Sequence, residues 1–150
     1  MEWDDSADFV WCEQQFAAIE SYVAAQQIPH GLICDWPEWY TAPYVGLWVV
    51  EDPQDPGYAG HWILAGDSTG AQPQPVPFDH LPAAELPEPR DAMAAFAKRW
   101  AGLAAKAQKG ESWHGSPVLI GDLAAQAKQL SRQAQLLSLW AQDDELWEED

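Results

Sequence analysis

Lysine and arginine are missing from the first 89 residues of this chain, a stretch that holds fifteen acids from Glu2 to Glu88. That absence, with a net charge of −17, argues against a nucleic-acid or anionic-membrane partner, because phosphate contacts need cations that are not there. Cysteine is scarce too. Cys12 and Cys34 are the only two and have no Cys-x-x-Cys or Cys/His spacing, which excludes a disulfide scaffold and reads as reduced thiols in a reducing compartment. No apolar run approaches the roughly 20 residues of a membrane span. The start Met1-Glu2-Trp3-Asp4-Asp5 lacks the basic and apolar regions of a secretory signal, so a cytoplasmic location is expected.

Strong chemical motifs are also lacking. No Gly-x-Ser-x-Gly elbow occurs, and Gly66-Asp67-Ser68-Thr69-Gly70 has no lysine to make a phosphate loop. His30, His61, His80 and His114 are scattered without the spacing that converges three or four ligands on a metal. Asp52 and Asp55 flank prolines and do not form a calcium ladder. No metal and no cofactor is expected, and the balance leans away from an enzyme.

What the chain does contain is charge asymmetry and tryptophan. All seven basic residues lie between Arg90 and Arg132, and residues 90–142 carry seven bases against three acids. Ten tryptophans accompany this polarity. A chain of 150 residues is the size of one domain, and the expectation is a single acidic domain over 1–150, with a proline-rich loop at 67–89 and an acidic tail at 143–150.

Hydrophobic periodicity predicts the elements. Phe9, Cys12, Phe16, Ile19 and Val23 are spaced as one stripe of a helix over about 5–27, stopped by Pro29 and Gly31. Tyr44 to Val50 and Gly60 to Gly66 have the β-branched and aromatic content of two strands, and the turn Asp52-Pro53-Gln54-Asp55-Pro56-Gly57 makes them a hairpin. Prolines from Pro73 to Pro89 argue against regular structure in the next segment. Helices are predicted over about 90–109, with Met93, Phe96, Ala97, Trp100, Ala104 and Ala107 on one face, and about 121–142, with Leu123, Ala127, Leu130, Ala134, Leu137 and Trp140. The fold class is therefore α+β, a small antiparallel hairpin (about 44–50 and 60–66) packed against three helices. In the tail, Leu146 and Trp147 suit either a docked terminus or a short acidic-aromatic interaction peptide, and docking is the expectation because an indole left in water gains nothing from burial.

Two kinds of site remain. Trp36, Trp39 and Tyr40, together with Glu51, Asp52 and Asp55, combine loop aromatics with acids in the way that interface hot spots do. They suggest an immunity-like or inhibitor-like protein that docks on a basic partner protein. His61, Asp67 and His80 form the alternative, an acid/base or small-molecule pocket lined by Trp48 and Trp62, and their catalytic case is weak because Asp after Gly commonly caps a turn. A homodimeric scaffold that buries a tryptophan-rich strand face is the third possibility.

The combination Gly46-Leu47-Trp48, Gly60-His61-Trp62-Ile63, Ala65-Gly66-Asp67 and Arg90-Asp91-Ala92-Met93-Ala94-Ala95-Phe96 with Trp100 resembles the bacterial domain of unknown function 4826 family over about residues 44–100. The last helix with Trp140 and Leu146-Trp147 extends the likeness. Ser68-Thr69-Gly70 and the proline-rich insertion depart from the family pattern after the Gly-Asp pair. The resemblance implies a small cytosolic bacterial protein and brings no activity with it.

Overall fold

The structure is a computed structural model, and it describes residues 5–34, 37–41, 45–66, 78–109 and 123–147. The fold is α+β, with three long helices, a four-stranded antiparallel sheet and a 3-10 turn among the described residues. The chain divides into two compact units, Met1–Glu85 and Leu86–Asp150.

The first unit opens with α1 (Asp5–Ala25) and continues through β1 (Trp39–Thr41), β2 (Val45–Glu51), β3 (Ala59–Ala65) and β4 (Asp79–Pro82). The strands form a meander in the order β1-β2-β3-β4. The expected hairpin is its centre, with Trp48 opposite Ile63 and Val50 opposite His61. The two outer strands were not predicted. β1 lies in what reads as an aromatic linker, and only three of its residues pair with β2. β4 lies within the proline-rich segment, where regular structure was not expected. Its proline is tolerated because Pro82 is the last residue of an edge strand, where a missing N–H leaves no central ladder bond unmade.

Side chains alternate across the sheet, so pairing partners share a face. One face carries Trp48, Val50, Ile63 and Ala65 and forms a core with Trp11, Cys12, Ile19 and Val23 of α1. The other carries Leu47, Leu64 and Trp62, also buried. The buried arc of α1 is rotated from the predicted stripe. It centres on Cys12, Gln15, Ile19 and Val23, and Phe9, about 80° around the helix from Ile19 at roughly 100° per residue, stays 53% exposed.

Gln15 is the polar residue in that arc. It is fully buried, and its amide donates to the Ala65 and Gly66 carbonyls while its Oε1 accepts from Trp48 Nε1 at 3.1 Å. Helix and sheet are thus joined by a satisfied polar bridge as well as by apolar contact. Gly46 makes room for it, since a Cβ there would stand 2.7 Å from Gln15 Oε1 and 2.9 Å from Trp48 Nε1.

α1 ends two residues before the expected limit. Gln27 adopts φ 56°, and the Ile28 N–H reaches the Val23 carbonyl at 3.1 Å while the Gln27 N–H reaches Ala24 at 3.2 Å. These are the two bonds of a Schellman cap. The stop is therefore a left-handed glutamine, upstream of Pro29 and Gly31.

The second unit is an antiparallel helix pair, α2 (Pro89–Gln108) and α3 (Leu123–Gln142), followed by a 3-10 turn (Asp144–Trp147). Glu88 caps α2, Pro89 occupies its first position, and Asp91 accepts the Glu88 N–H at 3.3 Å. Its predicted apolar face is buried, with Ala92 and Leu103 added to it. On α3 the buried set is Ala127, Leu130, Gln133, Ala134, Leu137 and Ala141. Alanines recur every seven residues on both helices, at Ala97 and Ala104 and at Ala127, Ala134 and Ala141, the spacing that keeps one seam facing a neighbouring helix. Arg90 at the start of α2 donates to the Ala141 carbonyl and pairs with Asp144 at 2.6 Å. Trp147 then donates its indole N–H to the Trp140 carbonyl at 2.8 Å, so this end of the tail docks as expected.

Candidate functional site

The β2–β3 turn is built by its own acids. The Asp52 N–H donates to the Tyr58 carbonyl at 2.9 Å, and Asp52 Oδ1 accepts the Gln54 N–H at 2.9 Å. Glu51 holds two segments together, with one carboxylate oxygen accepting from Leu32 N–H at 3.3 Å and the other from Gly57 N–H at 3.0 Å. Gly57 has φ 93°, a conformation that needs glycine. Two apolar side chains are left in water by this arrangement, Leu32 at 69% and Tyr58 at 68% exposure. Asp55 is exposed beside them, while Glu51 and Asp52 are half-buried. An acidic turn thus presents an aliphatic and an aromatic side chain. Sequence reasoning singled out the acids and missed Leu32 and Tyr58, whose spacing of 26 residues leaves no local signal.

The remaining residues of the acidic-aromatic set are placed elsewhere. Trp39 and Tyr40 are half-buried neighbours on β1 and therefore point to opposite faces. Tyr40 packs on Trp11 of α1, with ring centroids 5.7 Å apart. Trp36 lies outside the described residues.

The histidine cluster is partly assembled. His61 pairs with Pro82 and His80 with Ile63, so both histidines occupy one face of the sheet. Their ring centroids are 6.2 Å apart. Tyr22 of α1 joins them, its hydroxyl 2.7 Å from His80 Nδ1. His61 Nδ1 is buried without a hydrogen-bond partner among the described residues. Burial lowers the His61 pKa below its usual 6.5, with the Asp52 charge opposing that shift. Asp67, the expected carboxylate partner, lies outside the described residues. Asp79, next to His80 on β4, is buried, and its Oδ1 accepts the His80 backbone N–H at 2.9 Å.

One element of the pocket reading is corrected. Trp62 precedes Ile63 on the same strand, so strand alternation turns it to the face opposite Trp48, and the two indoles do not line one pocket. Among the described residues no group of three or more His, Cys, Asp or Glu side chains is placed to hold a metal ion. Cys12 is buried, Cys34 is half-buried, and neither forms a disulfide. No helix of the described residues is long and apolar enough to cross a membrane.

The sequence model of a family described as a domain of unknown function (DUF4826) matches residues 5–147. The chain belongs to that family. The match takes in α1, the sheet, the helix pair and the docked Trp147, well beyond the stretch on which the resemblance rested. No curated protein and no solved structure gives a significant match. The family description assigns no function, so activity has to be argued from the site.

Proposed function

We propose that the chain is a non-enzymatic protein-binding module, immunity-like or inhibitor-like, whose acidic unit engages a basic partner protein. One observation carries this reading: the charge boundary coincides with the structural boundary. Residues 1–85 hold fourteen acids and no lysine or arginine, while residues 86–150 hold ten acids and all seven bases. A surface of one sign speeds encounter with the opposite sign. The β2–β3 turn supports the reading by placing Leu32 and Tyr58 beside Asp55, since desolvated apolar and aromatic anchors dominate interface energies.

Because Glu51 and Asp52 also hold the turn backbone, the informative substitutions are Asp55→Lys and Tyr58→Ala. With the intact protein as bait in its source lysate at low salt, a basic protein released by moderate salt is expected. Its retention should fall with either substitution. Retention unchanged by both would sink the turn as the contact surface.

The histidine cluster favours a second reading, a small-molecule pocket at His61 and His80, on the strength of the buried His61 Nδ1, which has no hydrogen-bond partner among the described residues. Binding of an imidazole-seeking ligand that is lost in both His61→Phe and His80→Phe would move weight to it.

A further inference from the structure

β4 lies at the edge of the sheet, with β3 as its one strand neighbour. The Ala83 N–H donates to the Gly60 carbonyl at 2.9 Å. Ladder bonds alternate along an antiparallel strand, so Leu81 and Asp79 turn their backbone groups to Trp62 and Leu64, and His80 and Pro82 turn theirs outward. The His80 N–H is taken by Asp79 Oδ1 at 2.9 Å, and Pro82 has no N–H. A further strand therefore finds no donor at either outward position. α1 holds β4 from the face instead. The Tyr22 hydroxyl lies 2.7 Å from His80 Nδ1, and the Tyr22 ring packs on Phe78 and edge-on to His80, each at 5.7 Å.

Two imidazoles meet at this clasp. His61 on β3 and His80 on β4 are diagonal neighbours on one face, with ring centroids 6.2 Å apart. Among the described residues, the titratable groups that face them are Tyr22 from α1, Asp52 from the end of β2, and each other. A neutral imidazole can leave Nδ1 as a bare acceptor, whereas an imidazolium donates from both nitrogens. His61 Nδ1 is buried and has no hydrogen-bond partner among the described residues, so a proton added to His61 leaves a buried N–H unsatisfied. A second proton on His80 then sets two like charges side by side. Asp52 opposes the first of these costs, although its Oδ1 already accepts the Gln54 N–H.

We infer that His61 and His80 form an acid-sensitive latch: the neutral pair holds β4 between Tyr22 and β3, and the protonated pair releases it as a local unfolding of the edge strand. His61 sets the sign. Burial keeps its folded pKa below 6.5 and the released strand restores the ordinary value, so release is favoured as the pH falls through 6.5 and below. The latch goes beyond the proposed function, since it needs neither a basic partner nor a bound small molecule.

Amide hydrogen exchange of the full chain from about pH 7.5 to about pH 5, corrected for the intrinsic pH dependence of exchange, tests it. The Leu81 and Ala83 amides should lose about tenfold or more of their protection relative to the Ile63 amide, which faces β2; that is the order set by two like charges about 6 Å apart near a protein surface. His80→Gln, which keeps a partner for the Tyr22 hydroxyl, and His61→Phe should each make the ratio independent of pH. Tyr22→Phe removes the clasp and keeps the charges, so it should lower Leu81 protection at neutral pH and retain the acid response. A Leu81 to Ile63 ratio that stays constant down to about pH 5, or that falls equally in His80→Gln and His61→Phe, overturns the latch. So do Leu81 and Ala83 amides that already exchange freely at neutral pH. None of these results bears on the Asp55 and Tyr58 turn.

Discussion

The two units of this protein solve the same problem with different chemistry. In the first, a helix packs on a sheet through large side chains such as Trp11, Ile19 and Trp48, and a buried glutamine bridges them. In the second, two helices approach through recurring alanines, with Phe96, Trp100, Leu103 and Leu137 as the large buried residues. The difference follows from where backbone polar groups go. A helix satisfies its own amides and carbonyls except at its ends, where Arg90 and Trp147 serve the Ala141 and Trp140 carbonyls, whereas the sheet ends at Ala65 and Gly66 with carbonyls to which Gln15, from the buried face of α1, donates. Stability in the first unit should therefore depend on hydrogen-bond satisfaction, and in the second on volume.

The largest test of that contrast is Trp100→Ala. It empties a fully buried site and should cost about 3–5 kcal/mol in denaturant unfolding. A loss under about 1 kcal/mol would break the volume argument. Gln15→Leu comes next, because it keeps the bulk but strands Trp48 Nε1 and the two carbonyls. A loss of about 2–3 kcal/mol is expected, and a neutral result would show that the bridge contributes nothing. Gly46→Ala, which drives a methyl into the same bridge, should cost about 1–3 kcal/mol. Combined with Gln15→Leu it should cost less than the sum of the two.

A smaller effect separates the units by pH. The folded pKa of His61 is lowered by burial, so below about 6.5 the unfolded chain binds the proton more readily than the folded one. Its contribution is intact above that pH and is lost as the pH falls through 6.5 towards the lower folded value. A urea midpoint measured at successive pH values should drop over that window, and His61→Phe should flatten the drop. Smallest, and opposite in sign, is Gln27→Gly. It relieves a non-glycine residue at φ 56° and should stabilise the first unit by about 1 kcal/mol. A destabilised variant would show that the Gln27 side chain matters more than its backbone.

Much of this architecture was legible in the sequence, and the exceptions are instructive. Periodicity placed all three helices to within about two residues and the central hairpin to within one, because burial of one face imposes its repeat on the residues. β1 and β4 escaped notice since each is only three or four residues long, too short for alternation to register, and one ends in proline. The predicted α1 stripe included Phe9 and omitted Gln15, because hydrophobicity alone ranks phenylalanine as core and glutamine as surface. Part of the candidate site shows the same limit. Glu51, Asp52 and Asp55 were visible as an acidic turn, but Leu32 joins them through Glu51, whose backbone N–H donates to the Leu32 carbonyl and whose carboxylate accepts the Leu32 N–H, and Tyr22 reaches His80 across 58 residues.

By itself the sequence determined the element types, the segregation of charge at the end of the acidic stretch and the absence of recognisable catalytic motifs. These are local or additive properties, written in spacing and composition. Only the tertiary structure decided that a glutamine and a glycine hold helix to sheet, that His61 and His80 share a face while Trp48 and Trp62 do not, and that Leu32 and Tyr58 stand beside the acidic turn. Those outcomes depend on strand register and on contacts between residues far apart in the chain, which no local pattern encodes.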